Sequence, residues 1–235
     1  MSSGLKNVFS YSIRNIFLMY VRPVSTIRRL SEDPDYLGPL ILIGLILLAY
    51  LGNLVVLSVK SEYYVQGVWK PSWNVEVSPV LSLLLASRLL YVIFTWFSYF
   101  FLVFVFSRLL GSDKELYPLF SISGYILHIF LLQLVLNAIV LSIASLSIPH
   151  LRLIGLYEGH LRVATSAAFE EWQKVVIVKV LNKPLEWLAY FWGGLYTYLV
   201  FREEREVDRR RAVIGTLATY ALNSIIAMIF AVQFI

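Results

Sequence analysis

Five long apolar blocks dominate this chain, and they constrain its fold more than any other feature. The blocks cover about residues 37–59, 83–110, 116–148, 185–201 and 212–234. A helix needs about 20 apolar residues to cross a hydrocarbon core of roughly 30 Å, and each block is near or above that length. Only 15% of the residues are charged, which is low for a soluble domain. The sequence therefore predicts an all-α integral membrane protein, with about five transmembrane helices in a membrane domain over residues 37–235.

The third and fourth blocks differ from the others. The third block is longer than one crossing requires, so we expect it to tilt, kink or project beyond the bilayer. Pro184 suits the first turn of the fourth helix, because a first-turn residue has no intrahelical partner for its N–H. The connection between these two blocks, residues 149–184, is predicted to be a long outer loop.

Lysine and arginine residues near the ends of the spans predict the orientation, because cytoplasmic loops carry an excess of them. They are more frequent on the side that holds residues 1–36, the turn between the second and third spans, and the turn Arg202–Arg211. We therefore expect a multi-pass protein with a cytoplasmic N-terminus and an extracytoplasmic C-terminus. The net charge of +5 indicates orientation and contact with the lipid bilayer, and we expect no nucleic acid partner.

The segment before the first span is itself patterned. Apolar residues recur at helical spacing between Leu5 and Val21, with Lys6, Arg14 and Arg22 among them. This pattern is typical of an amphipathic helix that lies in the headgroup layer. A helix packed on a partner protein is the alternative, and the basic residues favour the membrane surface.

The outer loops leave two structures open. Alternation around Trp73–Val77 and His150–Val163, together with the β-branched run Val175–Val180, is compatible with a small β-rich extracellular cap. The segment Val163–Val178 fits an amphipathic helix equally well, and its periodicity does not decide between the two.

The sequence contains no motif for catalysis, cofactors or metals. It has no cysteine, which excludes disulfides, thiolate catalysis and cysteine metal sites. A glycine-rich phosphate loop, a zinc-binding helix and a nucleophile elbow are also missing. His150 and His160 flank Glu158, but a metal needs three or four convergent ligands and no other ligand is nearby. We therefore expect no enzyme, no cofactor and no metal site.

Three polar residues of the third span, His128, Gln133 and Asn137, are functional candidates because polar groups inside a membrane are rare. His128 can titrate near neutral pH, and the two amides share a helical face. Packing between helices is the favoured role, and transport or sensing is the alternative. No carboxylate lies in the middle of a span, which argues against a proton-coupled transporter.

The fifth span carries a ridge of mostly small residues at i+4 spacing. Its members are Gly215, Thr219, Asn223, Ala227 and Ala231. Small residues let helices approach each other closely inside a membrane. The ridge predicts either internal packing, which we favour, or self-association into a homo-oligomer.

Two stretches resemble the Yip family, membrane proteins named for their interaction with Ypt/Rab GTPases. Asp35, Gly38 and Pro39, in the sequence Asp-Tyr-Leu-Gly-Pro, are similar to the family's Asp-Leu-x-Gly-Pro motif before its first span. Gly124 and Tyr125 resemble the Gly-Tyr motif of its third span. The aromatic and aliphatic residues of the first motif stand in swapped order. The resemblance implies five spans, small-GTPase binding and vesicle traffic.

Two functions follow as hypotheses. The first is a non-enzymatic Yip-like scaffold or adaptor, which organises the membrane or recruits cytoplasmic proteins through its N-terminal segment and the turn Arg202–Arg211. The second is a small permease, or an accessory subunit among membrane partner subunits of a transport complex, with a cavity near His128, Gln133 and Asn137. A hydrated cavity between the spans favours the second function, and a dry bundle favours the first.

Overall fold

The computed structural model describes residues 2–65, 68–71, 78–147, 151–153 and 174–234. The helices in this part are α1 (Ser2–Val21), α2 (Pro23–Glu32), α3 (Leu37–Lys60), α4 (Ser78–Leu109), α5 (Leu116–Gly124), α6 (Leu127–Ser147), α7 (Val176–Leu199) and α8 (Arg209–Phe234). Among the described residues, three stretches are long and apolar enough to cross a membrane: Leu37–Val56, Leu85–Leu109 and Leu116–Leu146. They coincide with the first three apolar blocks, so the protein is a helical membrane protein.

Three short strands form one small sheet beside the helices. β1 (Ser61–Val65), β2 (Val68–Pro71) and β3 (Leu151–Leu153) are arranged in the order β2-β1-β3. β1 pairs antiparallel with β2 and parallel with β3. The segments Trp73–Val77 and most of His150–Val163 lie outside the described residues, as does most of Val163–Val178. An extracellular β-rich cap therefore stays a prediction.

The third apolar block is broken into two helices. α5 ends at Gly124 and α6 begins at Leu127, with a turn between them. In this turn Tyr125 N–H donates to the Ile122 carbonyl at 2.9 Å, and Ile126 N–H donates to the Ser123 carbonyl at 3.2 Å. Such i→i+3 bonds tighten the backbone locally. The break interrupts the helix inside a block that is longer than one crossing requires.

The fourth apolar block belongs to a longer helix than the sequence suggested. α7 begins at Val176, and Pro184 lies in its interior, so a first-turn position for this proline is wrong. The last residues of the predicted loop 149–184 also belong to α7, from Val176 onwards. An interior proline removes one backbone hydrogen bond, which a membrane bundle tolerates because neighbouring groups adjust. After Leu199 the chain forms a π-helical turn, Val200–Glu204, before α8.

The helices form one bundle in which α3 packs on α6, α4 packs on α8, and α7 packs on both α6 and α8. Its fully buried core includes Leu42, Ile46, Tyr99, Val103 and Leu127. The two N-terminal helices belong to the bundle as well. α1 packs on α3, and α2 packs on α5 and on the π-helical turn.

Helix α1 buries apolar as well as polar side chains against the protein, and its outer side exposes large apolar side chains. Ser12 and Asn15 are buried, whereas Phe9, Ile13 and Phe17 are exposed. The exposed side chains recur every four residues and form one stripe, the apolar face of α1. A continuous apolar stripe on the outside of a helix is typical of contact with lipid.

Candidate functional site

Asp35 caps the first membrane helix. Its Oδ1 accepts hydrogen bonds from the backbone N–H groups of Leu37 at 3.1 Å and Gly38 at 3.0 Å. These N–H groups have no partner within α3, and a carboxylate is favoured there by the helix dipole. Ser121 of α5 binds the Asp35 backbone. Its Oγ accepts from the Asp35 N–H at 3.0 Å and donates to the Asp35 carbonyl at 2.8 Å.

The same carboxylate joins α1 to the break between α5 and α6. Ser12 Oγ donates to Oδ1 of Asp35 at 2.8 Å, and Asn15 Nδ2 donates to Oδ2 at 3.1 Å. The Tyr125 hydroxyl also donates to Oδ2. Asp35 is only 4% exposed, and hydrogen bonds in this number offset the cost of burying a carboxyl group. Because its oxygens are occupied by the protein's own donors, Asp35 is a structural hub and not an open ligand site.

Two glycines allow these helices to approach each other. A Cβ atom on Gly38 would lie 2.0 Å from the Tyr125 hydroxyl, and one on Gly124 would lie 2.5 Å from Cγ of Pro39. A larger residue at either position would push α3 and α5 apart. The structure therefore brings all five residues of the two motifs together: Asp35, Gly38, Pro39, Gly124 and Tyr125.

The cluster continues from α1 to α2 through Arg29. Nη2 of Arg29 donates to Oδ1 of Asn15, and the guanidinium carbon lies 5.7 Å from the ring centroid of Tyr11. The Tyr11 hydroxyl in turn donates to the Asp33 carbonyl at 3.3 Å. Burial raises the pKa of Tyr11 above its ordinary value, so the phenol stays neutral. These contacts hold α1 and α2 in one arrangement relative to Asp35.

His128 lies next to this cluster and is fully buried. Its Nδ1 contacts the Tyr125 carbonyl, and its Nε2 accepts a hydrogen bond from Trp192 Nε1 at 2.8 Å. An indole N–H can only donate, so Nε2 is unprotonated and Nδ1 carries the proton. Tyr20 donates to the His128 carbonyl at 2.6 Å, and the rings of Tyr20 and Tyr196 meet the imidazole edge-on. Both nitrogens of His128 are thus used within the protein.

Gln133 and Asn137 lie further along α6 than His128. Both side chains are half-buried on α6, and within the described residues neither hydrogen-bonds to His128. Asn53 of α3 makes the amide contact between helices instead, because its Nδ2 donates to the Leu134 carbonyl at 3.1 Å. The three polar residues that the sequence grouped share no hydrogen bond within the described residues, and a common site for them stays a prediction.

Arg205 joins the turn after α4 to the turn after α7. Its Nε donates to Ser107 Oγ at 3.2 Å, its Nη1 to the Glu115 carbonyl at 2.8 Å, and its Nη2 to the Lys114 carbonyl at 2.9 Å. Ser112 Oγ donates to the Arg205 carbonyl at 2.7 Å. Arg205 is only 1% exposed. The sequence grouped Arg205 with a basic turn that is presented to cytoplasmic partners, but the donors of Arg205 all bind oxygen atoms of the protein itself: two carbonyls, one hydroxyl and one carboxylate.

Glu204 is the buried ionic partner of Arg205. Its Oε1 accepts from Arg205 Nη1 at 3.2 Å, whereas its Oε2 has no hydrogen-bond partner among the described residues. Burial raises the pKa of the Glu204 carboxyl to about 7, although Arg205 and Lys114 lower it. Glu206 raises this pKa further, and Glu206 itself pairs with Lys114 at 2.7 Å. Glu204 therefore changes protonation near neutral pH.

Three segments share one end of the bundle and form a surface that we call the platform: α2, residues 110–115 and residues 200–208. Arg28 of α2 pairs with Glu203 at 2.6 Å, and Arg205 connects the other two segments. At the edge of the platform, Arg209 and Arg210 are exposed at the start of α8. The basic segments that the sequence assigned to one side of the membrane are thus adjacent in the structure.

The small-residue ridge of α8 faces α4. Its members with described side chains are buried, namely Gly215, Thr219 and Asn223. Ser98 Oγ of α4 donates to Oδ1 of Asn223 at 2.7 Å, and a Cβ atom on Gly215 would lie 2.7 Å from Cδ1 of Leu110. The side chains of the other two members lie outside the described part: Ala227 and Ala231.

Several residues of the site were not singled out from the sequence. Ser12 and Asn15 bind Asp35, and Trp192 binds His128. Within the described residues no cluster of three or more metal-ligating side chains occurs. The candidate metal-ligand residues lie outside the described part: His150, Glu158 and His160.

The family model for the Yip1 domain matches residues 17–231 of this chain. The match includes both motifs that meet at Asp35, the platform, and nearly all of α8. No curated protein and no solved structure matches the chain.

Proposed function

The chain belongs to the Yip family, and from that premise we propose that it is a non-enzymatic membrane scaffold or adaptor with a cytoplasmic platform. The observation that carries the proposal is the convergence of α2 and two inter-helix turns into one connected surface. Arg28, Glu203 and Arg205 connect these segments. A surface held in one arrangement by the protein itself can bind a partner without an ordering penalty.

The proposal includes five crossings of the membrane. α5 begins at the platform end because it follows residues 110–115 directly, and α3 begins beside it because Asp35, just before α3, contacts Ser121 of α5. α4 and α7 end there and α8 begins there, around Arg205. At the other end, β1 follows α3 and pairs with β3, which follows α6. With α5 and α6 taken as one span, successive spans alternate in direction, which supports α7 and α8 as the fourth and fifth spans.

We place the platform and the N-terminus in the cytoplasm and the C-terminus outside it. Exposed arginines are concentrated at the platform end: Arg22, Arg28, Arg209 and Arg210. Basic residues in short loops favour the cytoplasmic side. In this orientation the apolar face of α1 lies in the inner headgroup layer. A short interfacial helix of this type anchors the N-terminal segment to the bilayer surface.

The partner class that the family name suggests is a small GTPase. The platform supports a protein partner because its charges are mixed: Arg28 and Glu203, together with Lys114 and Glu206, alternate at its surface. Mixed surface charge favours specificity and association rate over raw affinity. In this proposal, the protein recruits a cytoplasmic protein to the membrane that holds the bundle.

The permease alternative has less support. It requires a hydrated cavity near His128, yet this side chain is fully buried and both ring nitrogens have partners in the protein.

Cross-linking in native membranes tests the proposal. A tagged chain should cross-link cytoplasmic proteins through platform residues, and R209Q/R210Q should reduce the captured amount. K179Q/K183Q is the matched control. It removes the same charge from exposed positions near the start of α7, the end of that helix that lies away from the platform. If the stable partners are other membrane subunits and their cross-links map to the spans, the accessory-subunit alternative replaces the scaffold.

A further inference from the structure

The segment 200–206, which follows α7 in the platform, departs from regular helical backbone. The Arg205 N–H donates to the Val200 carbonyl at 3.0 Å, across five residues instead of the four of an α-helix. Glu206 has a φ of 53°, in the left-handed region that residues other than glycine seldom adopt. Backbone of this kind persists only where surrounding contacts hold it, and π-helical turns are frequent at functional sites.

Contacts on both sides of Glu204 hold this segment to the rest of the platform. Glu203, one residue before it, pairs with Arg28 of α2 at 2.6 Å. Arg205, one residue after it, donates to two carbonyls of the loop 110–115, at 2.8 and 2.9 Å. Glu204 therefore lies between the two connections that join the three parts of the platform.

The Glu204 carboxyl is buried with only one of its oxygens bonded. Its side chain is 2% exposed. Oε1 accepts from Arg205 Nη1 at 3.2 Å, and Oε2 has no hydrogen-bond partner among the described residues. Asp35, by comparison, receives five hydrogen bonds on its two oxygens. An ionised carboxylate is costly to bury unless both oxygens are bonded, so this arrangement of Glu204 suits the neutral acid.

The groups around Glu204 keep its titration close to neutral pH. Those that act on its charge lie in its own segment, in the loop 110–115, in α4 and in α7: Arg205, Glu206, Lys114, Tyr99 and Tyr196. Arg28 of α2 is paired with Glu203, and α5 carries no charged residue. Arg211 of α8 donates to a carbonyl of the loop 110–115 at 3.3 Å. Burial raises the pKa of the Glu204 carboxyl to about 7, and the nearby cations only partly offset this rise.

We propose that proton binding by Glu204 switches the platform between a locked and an open arrangement. With the carboxyl neutral, residues 200–206 stay packed and join α2 to the loop 110–115. With the carboxyl ionised, the charge is favoured in water, and Glu204 reaches water only when its segment leaves the packed position. The contacts of Glu203 and Arg205 then break together. The inference rests on the proposed function for its consequence, which is that the platform is displayed below neutral pH and lost above it.

The size of the effect follows from two protonation equilibria. The pKa of Glu204 is about 7 in the locked arrangement, and in the open one it takes its ordinary value of 4.5. The state that binds the proton more tightly is stabilised at low pH, and this advantage is lost as the pH rises through its pKa. Raising the pH from about 6 to 8 should therefore increase the ratio of open to locked molecules about 10-fold.

Hydrogen–deuterium exchange of the purified full-length chain in detergent measures this opening. The amides of Arg205 and Val207 bind the carbonyls of residues 200 and 201. Their protection should fall about 10-fold over this pH range, after correction for the intrinsic rate of exchange. Amides in the middle of α4 should stay much more strongly protected at both ends of the range, because they exchange only through a larger unfolding.

Two variants assign the effect to this carboxyl. E204Q is uncharged at every pH, so the protection of its amides at 205 and 207 should stay nearly constant. E115Q removes the same charge from an exposed side chain of the loop 110–115, and it should lose protection as the parent does.

Three results would overturn the inference: constant protection in the parent, an unchanged pH response in E204Q, or equal protection of this segment and α4. If E204Q does not fold, the profiles of the parent and E115Q still decide. The experiment uses the chain alone, so a flat profile rejects the switch and leaves the scaffold to the cross-linking test.

Discussion

Replacing Asp35 with asparagine perturbs the hub of the bundle with almost no change in shape. The asparagine oxygen can stay with the two backbone N–H groups at the start of α3, which are 3.0 and 3.1 Å from Oδ1. The new amide nitrogen then faces the donors of Asn15 and Tyr125, which bind Oδ2 in the parent. The substitution therefore places donors against donors in a buried site.

The magnitude follows from those two contacts. A hydrogen bond to a charged group contributes about 1.5–3 kcal/mol, and a buried donor without a partner costs about 1–3 kcal/mol. The Tyr125 hydroxyl can rotate and the Asn15 amide is partly held by Arg29, so D35N should lower the free energy of unfolding by about 3–5 kcal/mol. Tyr125→Phe removes one opposed donor. In D35N/Y125F the two losses should fall short of additivity by about 1–2 kcal/mol.

Reversible unfolding in mild detergent, followed by tryptophan fluorescence, measures these differences. Asp33→Asn is the matched control, because Asp33 is exposed two residues away and the change in charge is the same. It should stay within about 0.5 kcal/mol of the parent. If D35N unfolds like the parent and like D33N, the carboxylate does not hold α1, α3 and α5 together and the hub interpretation is refuted.

Three further predictions concern single positions. Thermal melts should show Gly124→Ala destabilised by about 1–3 kcal/mol through overpacking, whereas Gly194→Ala, whose Cβ meets nothing within 4 Å, should match the parent. The pKa of Glu204 is raised to about 7 from 4.5, so the native state holds a proton that the unfolded chain releases. Stability of the parent should fall as pH rises from about 5 to 7, by up to about 3 kcal/mol, and E204Q should abolish this slope in melts across that range. Asn223→Leu should lose about 1–3 kcal/mol relative to Ile225→Leu, and equal melting of the two would place the ridge against lipid.

The membrane helices could be predicted from sequence because length and hydropathy are local properties. The first three apolar blocks coincide with the stretches that can span a bilayer, and the Yip resemblance is confirmed by the match over residues 17–231. The motif residues Asp35 and Tyr125 were also recognisable. Their hydrogen bond was not, because it depends on how α3 meets the break after α5.

Other features depend on distant parts of the chain. An amphipathic pattern does not say which side of α1 faces the protein, so the inward direction of Ser12 and Asn15 was not predicted. In the sequence, Arg205 resembles the other arginines of a surface turn. In the structure it is buried, and the carbonyls of residues 114 and 115 accept its hydrogen bonds. The local preference of proline for a first helical turn predicted a helix start at Pro184. The packing of α7 along α6 and α8 overrides that preference, and the helix begins earlier.

Cysteine labelling in intact cells tests the central claim, that the platform and the N-terminus share the cytoplasmic side of a five-span bundle. The chain has no cysteine, so single cysteines can be placed at Ser3, Arg210 and Gln233. With a membrane-impermeant reagent, the account predicts that S3C and R210C stay unlabelled until the cells are opened, while Q233C is labelled at once. Labelling of S3C or R210C in intact cells, or protection of Q233C, would contradict it.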